Sequence, residues 1–361
     1  AAIFFFFFIN IKNSTFKNLK YTEQGGAIDT LNSNVNIQKS TFENNTAPEA
    51  GAISLRCEEG NTCTYSITGS TLTKNSAETK GGAIYYDFFK PTMSDNTFID
   101  NTAKYGPDVA AYPVKIEKHE IPSQTYVSGQ QITKEIQYKL VDPDGLTIAT
   151  DSDSVITVSP AESSDKVIGN TDVTVENGIA TFSEITFISS PGASNIDYTI
   201  SSSNIDEAKI SGAFGLEMTD TQQTLTISFR ECIKGEEQSE TMCTKCPTGK
   251  YSLVAGSTEC KICPKHATCH GEDVIWVDSG YWRASFDSDT IHECLNENAC
   301  LKYEGEPADK PYNCRKGYSS NLCDACIKED GTQYQRTGDH QCGICPDPVL
   351  NFFRLFGLLI L

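Results

Sequence analysis

The chain has 361 residues, with 29 Lys+Arg against 48 Asp+Glu, a formal charge of −19, 15 Cys and only 3 Met. That length suits two or three domains, and 38% apolar with 10% aromatic residues builds a packed core in thin, surface-rich architectures, which excludes disorder throughout. No Lys/Arg cluster stands out in so acidic a chain, so nucleic acid and anionic membrane surfaces are excluded as partners, because phosphate binding needs concentrated positive charge.

The cysteines divide the chain. Cys57 and Cys63 lie in the first 231 residues, and the other thirteen lie between Cys232 and Cys345. Net charge also shifts, from −2 over 1–111 to −10 over 112–230 and −7 over 231–361. Three modules follow: 1–111, 112–230 and 231–347, with an apolar segment at 348–361.

Residues 1–9 (AAIFFFFFI) have no charged n-region and no cleavage site, so they make a poor signal peptide and are too short to span a bilayer. They read as a strand at the top of a repeat array. Within 1–111 two phrases alternate. One is Ser/Thr-rich: STFKN (14–18), STFENN (40–45), STLTKN (70–75) and DNTFIDN (95–101). The other is Gly-rich: GGAI (25–28), AGAI (50–53), GGAI (81–84) and YGPDV (105–109). Phe16, Phe42, Leu72 and Phe98 therefore recur at 26, 30 and 26 residues. A period near 25 residues of short strands, bent at Asn and Gly, predicts a right-handed parallel β-helix with inward Phe, Ile and Leu, laddered Asn and glycine corners. The longer step holds Cys57 and Cys63, read as a loop closed by a disulfide.

This alternation resembles the polymorphic membrane protein repeat of chlamydial surface autotransporters, which protist surface proteins also carry. It departs from that pattern at Ala50, which stands for the first Gly, and at the fourth Gly phrase. Many β-helices act on polysaccharides, which needs clustered acids with a basic residue. The only acids at the Gly-phrase corner are Asp29 and Asp87, with Ser54 between them and Arg56 as the only Arg. Solvated turn acids are the better reading, and no catalytic or cofactor-binding residue is expected.

From 112 to 230 short alternating runs follow: KEIQYKLVD (134–142), VITVSP (155–160), DVTVENGIATFSEITF (172–187), DYTISS (197–202) and TLTISFR (224–230). Asn177-Gly178 is a hairpin signal. About seven strands predict an immunoglobulin-like or filamin-like β-sandwich. Asp142, Asp144, Asp151 and Asp153 raise a Ca²⁺ question, but DPDG is first a turn motif and no terminal Glu ligand follows.

The third module carries four Cys-x-x-Cys pairs, Cys243/Cys246, Cys260/Cys263, Cys323/Cys326 and Cys342/Cys345, interleaved with Cys232, Cys269, Cys294, Cys300 and Cys314. Zinc ribbons share that spacing, and His266 and His270 would be the nearest further ligands. Sequons at Asn13 and Asn44 and the apolar 349–361 suit instead an oxidising setting, so all fifteen cysteines are read as disulfide material with no metal site. Thirteen is odd, so one of them is free or pairs elsewhere.

CTKCPTGKYSLVAGSTECKICP (243–264) resembles the cysteine-rich repeats of growth-factor, ephrin and tumour-necrosis-factor receptor ectodomains. GYWR (280–283), HECLNENAC, CRKGYSSNLCDAC and CGICP resemble the membrane-proximal region of large ciliate surface proteins. The terminal VLNFFRLFGLLIL (349–361) reads as the start of a transmembrane helix and the contact with the lipid bilayer. The resemblances imply a non-enzymatic extracellular ectodomain at the plasma or ciliary membrane, for support, adhesion or recognition. Its partners would be other surface proteins or subunits, as in a ciliate mating-type complex. A multi-pass receptor or channel and a β-helix carbohydrate-active enzyme are the alternatives.

Overall fold

The computed structural model describes residues 8–58, 60–202, 204–205, 221–303, 310–346, 349 and 351–352. These residues are nearly all β. The chain divides into two compact units, Ala1–Ser189 with Ser194–Ser228, and Ser190–Ala193 with Phe229–Leu361.

The first unit opens with a β-solenoid of about four turns. One parallel sheet takes Phe8–Lys12, Asn34–Gln38, Tyr65–Thr68 and Thr92–Ser94, and a second takes Thr15–Lys17, Thr41–Glu43, Thr71–Thr73 and Thr97–Ile99. A third takes Ile28–Leu31, Ile53–Arg56, Ile84–Tyr86 and Val109–Ala110. Phe16, Phe42, Leu72 and Phe98 stand in register, with the Phe16 and Phe42 rings stacked at 4.9 Å. Inward positions such as Ile28, Ile37, Phe42, Ile53, Leu55, Ile67 and Leu72 are buried. Burying such side chains contributes about 1.5–3 kcal/mol each.

Two side-chain ladders hold the bends that this packing leaves. Asn75 accepts from the backbone and the side-chain amide of Asn45, at 3.1 and 2.9 Å. It donates in turn to the Phe42 carbonyl and to Asn101, each at 3.0 Å. Leu19 stands where the first Asn would be, and its N–H caps the ladder on Asn45. At the preceding bend Ser40 and Ser70 accept the N–H of Ser14 and Ser40, and Asn96 accepts that of Ser70. Each ladder converts a buried polar bend into a satisfied one.

The Gly corner is left-handed in all four turns: Gly25, Ala50, Gly81 and Gly106 have φ of 69°, 53°, 68° and 57°. Both sequence departures thus keep the repeat's backbone, and Ala50 does so despite its Cβ. The longer turn is accommodated by the loop that the Cys57–Cys63 disulfide closes.

The rest of the first unit is antiparallel. Lys115–Glu120, Ile136–Val141 and Ile179–Phe182 form one sheet, and Asp172–Thr174, Val155–Pro160, Ile196–Ser202 and Gln223–Ile227 a second. Lys166–Gly169 pairs with Ile185–Ile188. The buried rings of Tyr138 and Phe182, and of Phe187 and Tyr198, meet edge-on. The Asn177-Gly178 turn is present, with both φ positive and Glu176 bridged to Ile179, yet it does not join a paired hairpin. Asp172–Thr174 runs beside Val155–Thr157, while Ile179–Phe182 runs beside Ile136–Lys139. Gly178 donates to the Asp151 carbonyl and accepts from Leu140, so the turn carries the chain from one sheet to the other.

The solenoid's last turn is covered by the antiparallel part. Ala50, Tyr85, Tyr105, Ala110 and Ile148 form one buried cluster, and buried Tyr105 donates its hydroxyl to buried Asp142 at 2.6 Å. Asp142 also accepts the N–H groups of Asp144 and Leu146, and Asp144 pairs with Lys90.

The second unit is built from short antiparallel ladders with six disulfides. Its buried clusters are small, one around Trp282, Cys294, Cys300 and Cys323 and another around Tyr251, Cys269 and Ile275. Disulfides do the work that so thin a core cannot. Most of 349–361, expected to begin a transmembrane helix, lies outside the described residues. Among the described residues no helix is long and apolar enough to cross a membrane. Residues 1–7 of the expected first strand also lie outside them, and Phe8–Lys12 pairs with Asn34–Gln38.

Candidate recognition surface

Sheet Ile28–Leu31, Ile53–Arg56, Ile84–Tyr86 turns one set of side chains away from the solenoid interior. Asp29, Ser54 and Tyr85 form one column, and Leu31 lies beside Arg56. On the neighbouring edge Gln24, Glu49, Lys80 and Tyr105 follow each other through single bridges or backbone bonds between turns. The parallel register therefore places acids, amide, guanidinium and ammonium on one flank.

Arg56 Nη2 reaches both oxygens of buried Asp29, at 2.8 and 3.0 Å. Gln24 donates to Glu49 at 3.0 Å, Lys80 lies 3.5 Å from Glu49, and the Lys80 ammonium sits 4.2 Å above the Tyr85 ring. Thr22, Glu23, Gln24, Asp29, Glu49 and Arg56 line a groove of about 370 Å³. Asp87 accepts the Cys57 N–H at 2.7 Å. Burial pushes the Asp87 carboxyl up to about 6, against the pull of that N–H and of Arg56.

Asp29 and Asp87, the two acids singled out in the sequence, thus serve different tasks: one is tied to Arg56 and the other holds the start of the disulfide loop. Ser54 lies in the Asp29 column and its carbonyl accepts from Thr30. Gln24, Glu49 and Lys80 escaped the sequence reading. Their only signal is position, immediately before the first three Gly phrases, which becomes visible once the turns are aligned.

Three of the four aspartates of the antiparallel part have their carboxylates engaged by the chain itself. Asp142 is taken by Tyr105 and its own turn, Asp144 by Lys90, and Asp151 accepts from the Ser154 hydroxyl and the N–H groups of Asp153 and Ser154. The sequon residues Asn13 and Asn44 are exposed at left-handed bends, and Asn44 donates to Asn18 at 2.7 Å.

In the cysteine-rich unit the sulfurs join in sequence order: Cys232–Cys243, Cys246–Cys260, Cys263–Cys269, Cys294–Cys300, Cys314–Cys323 and Cys326–Cys342. No Cys-x-x-Cys pair is bonded internally. Cys345 carries no disulfide, so it is the odd member of the thirteen. Among the described residues the one three-ligand grouping is Cys232, Glu236 and Cys243, and two of its sulfurs are spent on each other. Exposed His266 stacks on Tyr281 at 4.0 Å between rings, and exposed His270 lies tilted against Trp276 at 3.9 Å, each on its own partner.

The Chlamydia polymorphic membrane protein (Chlamydia_PMP) repeat matches residues 69–87, the stretch with STLTKN and the third-turn GGAI. Ephrin type-A receptor 6 of Mus musculus and that of Rattus norvegicus are each 31% identical over 84 residues, 23% of this chain and 7% of the receptor. The chain thus spans a small fraction of the curated relatives it matches. No solved structure matches it. A membrane-protein repeat on a β-solenoid, together with a disulfide-rich, receptor-like region, points to a surface protein with an extracellular location.

Proposed function

We propose that this chain is a non-enzymatic extracellular part of a membrane-anchored surface protein that serves adhesion or recognition between cells, with the solenoid flank around Asp29, Arg56 and Glu49 as its contact surface. The observation that carries the reading is the joining, in one chain, of a polymorphic-membrane-protein-type solenoid to a unit held by six sequential disulfides. Reducing compartments do not sustain such a unit. The flank supports recognition over catalysis because Arg56 occupies both oxygens of buried Asp29, which leaves that carboxylate no free oxygen to act as an acid or base. Its partners are other surface proteins, and one setting is a subunit of a protist recognition complex. The match to ephrin receptors favours a second reading, the ectodomain of a signalling receptor.

The test uses beads coated with the purified, fully oxidised chain and cells that carry it. Wild-type beads should bind such cells, and the double variant Arg56→Ala/Glu49→Ala should bind at least several-fold less while keeping its disulfide map. Equal binding by the variant, or none by the wild type, would remove the flank from the account.

A further inference from the structure

The second unit buries a cation that no carboxylate among the described residues pairs with. Arg283 is 1% exposed and, among the described residues, is the largest of the fully buried side chains. Its Nε has no partner, and Nη1 makes one long contact, 3.4 Å to the Ser288 carbonyl. The guanidinium lies 5.6 Å from the Phe286 ring, in a loop closed by Ser288 N–H on Ser285. The carboxylates nearby are committed elsewhere: Asp287 pairs with Lys234, and Asp289 accepts from Lys261 and Tyr251. Asp273 and Asp287 act on Arg283 only at a distance, and burial holds its pKa below the ordinary value. A buried guanidinium normally carries a bidentate carboxylate or an equivalent anion, because an unpaired charge in a low-dielectric site is costly.

We propose that Arg283 is the centre of an anion site in the cysteine-rich unit, occupied by a small inorganic anion of the halide class. A halide suits the site in size and charge: one compact monovalent ion meets the unpartnered Nε and leaves the Ser288 contact in place. Extracellular fluid supplies such an ion in large excess, so the site would be filled where this unit works. The site then acts as a structural clamp on the loop after Trp282, whose own Nε1 is likewise buried without a partner.

Chloride is the probe. With the oxidised full chain at constant ionic strength, replacing gluconate by chloride should broaden the ³⁵Cl resonance and raise the unfolding midpoint by about 2–4 °C. Bromide should compete. Arg283→Met should abolish both effects, keep the native disulfide map, and in gluconate unfold no lower than the wild type, since a similar-sized apolar side chain removes the unpaired charge. Arg283→Lys should keep a weakened chloride response. A wild type indifferent to chloride, or a Met variant that still responds, would overturn the proposal. So would neutralising Glu304, Glu306 and Asp309 together if that lowered the midpoint while chloride did nothing, because the counter-charge would then be the chain's own.

Discussion

Asp87 is the residue whose charge the fold resists. Its carboxyl is pushed up to about 6 by burial, so folding favours the protonated form. That contribution is fully present below the ordinary carboxylate range and is lost as pH rises through about 6. A carboxyl held that far above its ordinary range corresponds to about 3 kcal/mol at most, and the partial exposure of the site reduces this to about 1–2 kcal/mol. Asp87→Asn, which can still accept the Cys57 N–H, should therefore be more stable than wild type by that amount at pH 7 and equal to it near pH 4, as read by thermal unfolding across pH. Ala50 and Gly51 give a contrasting pair. Ala50→Gly relieves a left-handed non-glycine residue, worth about 1–2 kcal/mol, but loses a buried methyl worth about 0.8 kcal/mol and loosens the unfolded chain. The net change should stay within about 1 kcal/mol. In Gly51→Ala the new Cβ would lie 2.1 Å from the Gly82 carbonyl oxygen and 2.6 Å from the Ser76 nitrogen, so the turns must part. A loss above about 3 kcal/mol in urea unfolding is expected.

At the scale of the element, the solenoid shows what a repeat makes legible. The spacing of Phe16, Phe42, Leu72 and Phe98 already contained the register, because in a parallel stack equal positions in successive turns lie beside each other. The Asn ladder was legible for the same reason. Its energetic weight rests on Asn75, which bonds to Asn45, Phe42 and Asn101. Asn75→Ala would leave a buried N–H and carbonyl unpaired and should cost about 3–5 kcal/mol, whereas Asn18→Gly, which removes one exposed contact and suits the left-handed bend there, should cost less than about 0.5 kcal/mol. The Asn177-Gly178 turn was legible as a turn but not as a crossing between sheets. A dipeptide fixes local φ and ψ, while the choice of partner strand depends on Leu140 and Asp151, which are distant in sequence. The flank followed the same rule: Asp29 and Arg56 were visible as residue types, and their pairing required the register.

For the whole molecule, long-range polar bonds and the disulfide pattern were hidden from the sequence. Nothing in YGPDV or DPDG announces that Tyr105 donates to Asp142, yet that bond joins the solenoid to the antiparallel sheets within one unit. Tyr105→Phe should lower stability by about 2 kcal/mol, as for a hydrogen bond to a charged group, and should split what is otherwise a single unfolding transition of that unit. Cysteine spacing alone left the connectivity open, and the observed order is the simplest, each cysteine bridged to its neighbour in sequence. Short loops of 6 to 16 residues are each stapled separately, for about 2–3 kcal/mol apiece. The central claim, a disulfide-stapled extracellular protein, is tested most directly by non-reducing peptide mapping of the protein taken from intact cells, scored with its glycans. The account predicts the six sequential bridges from Cys232 to Cys342, with Cys345 outside them and sugar on Asn13 or Asn44. Free thiols throughout that region, holding stoichiometric zinc, would contradict it.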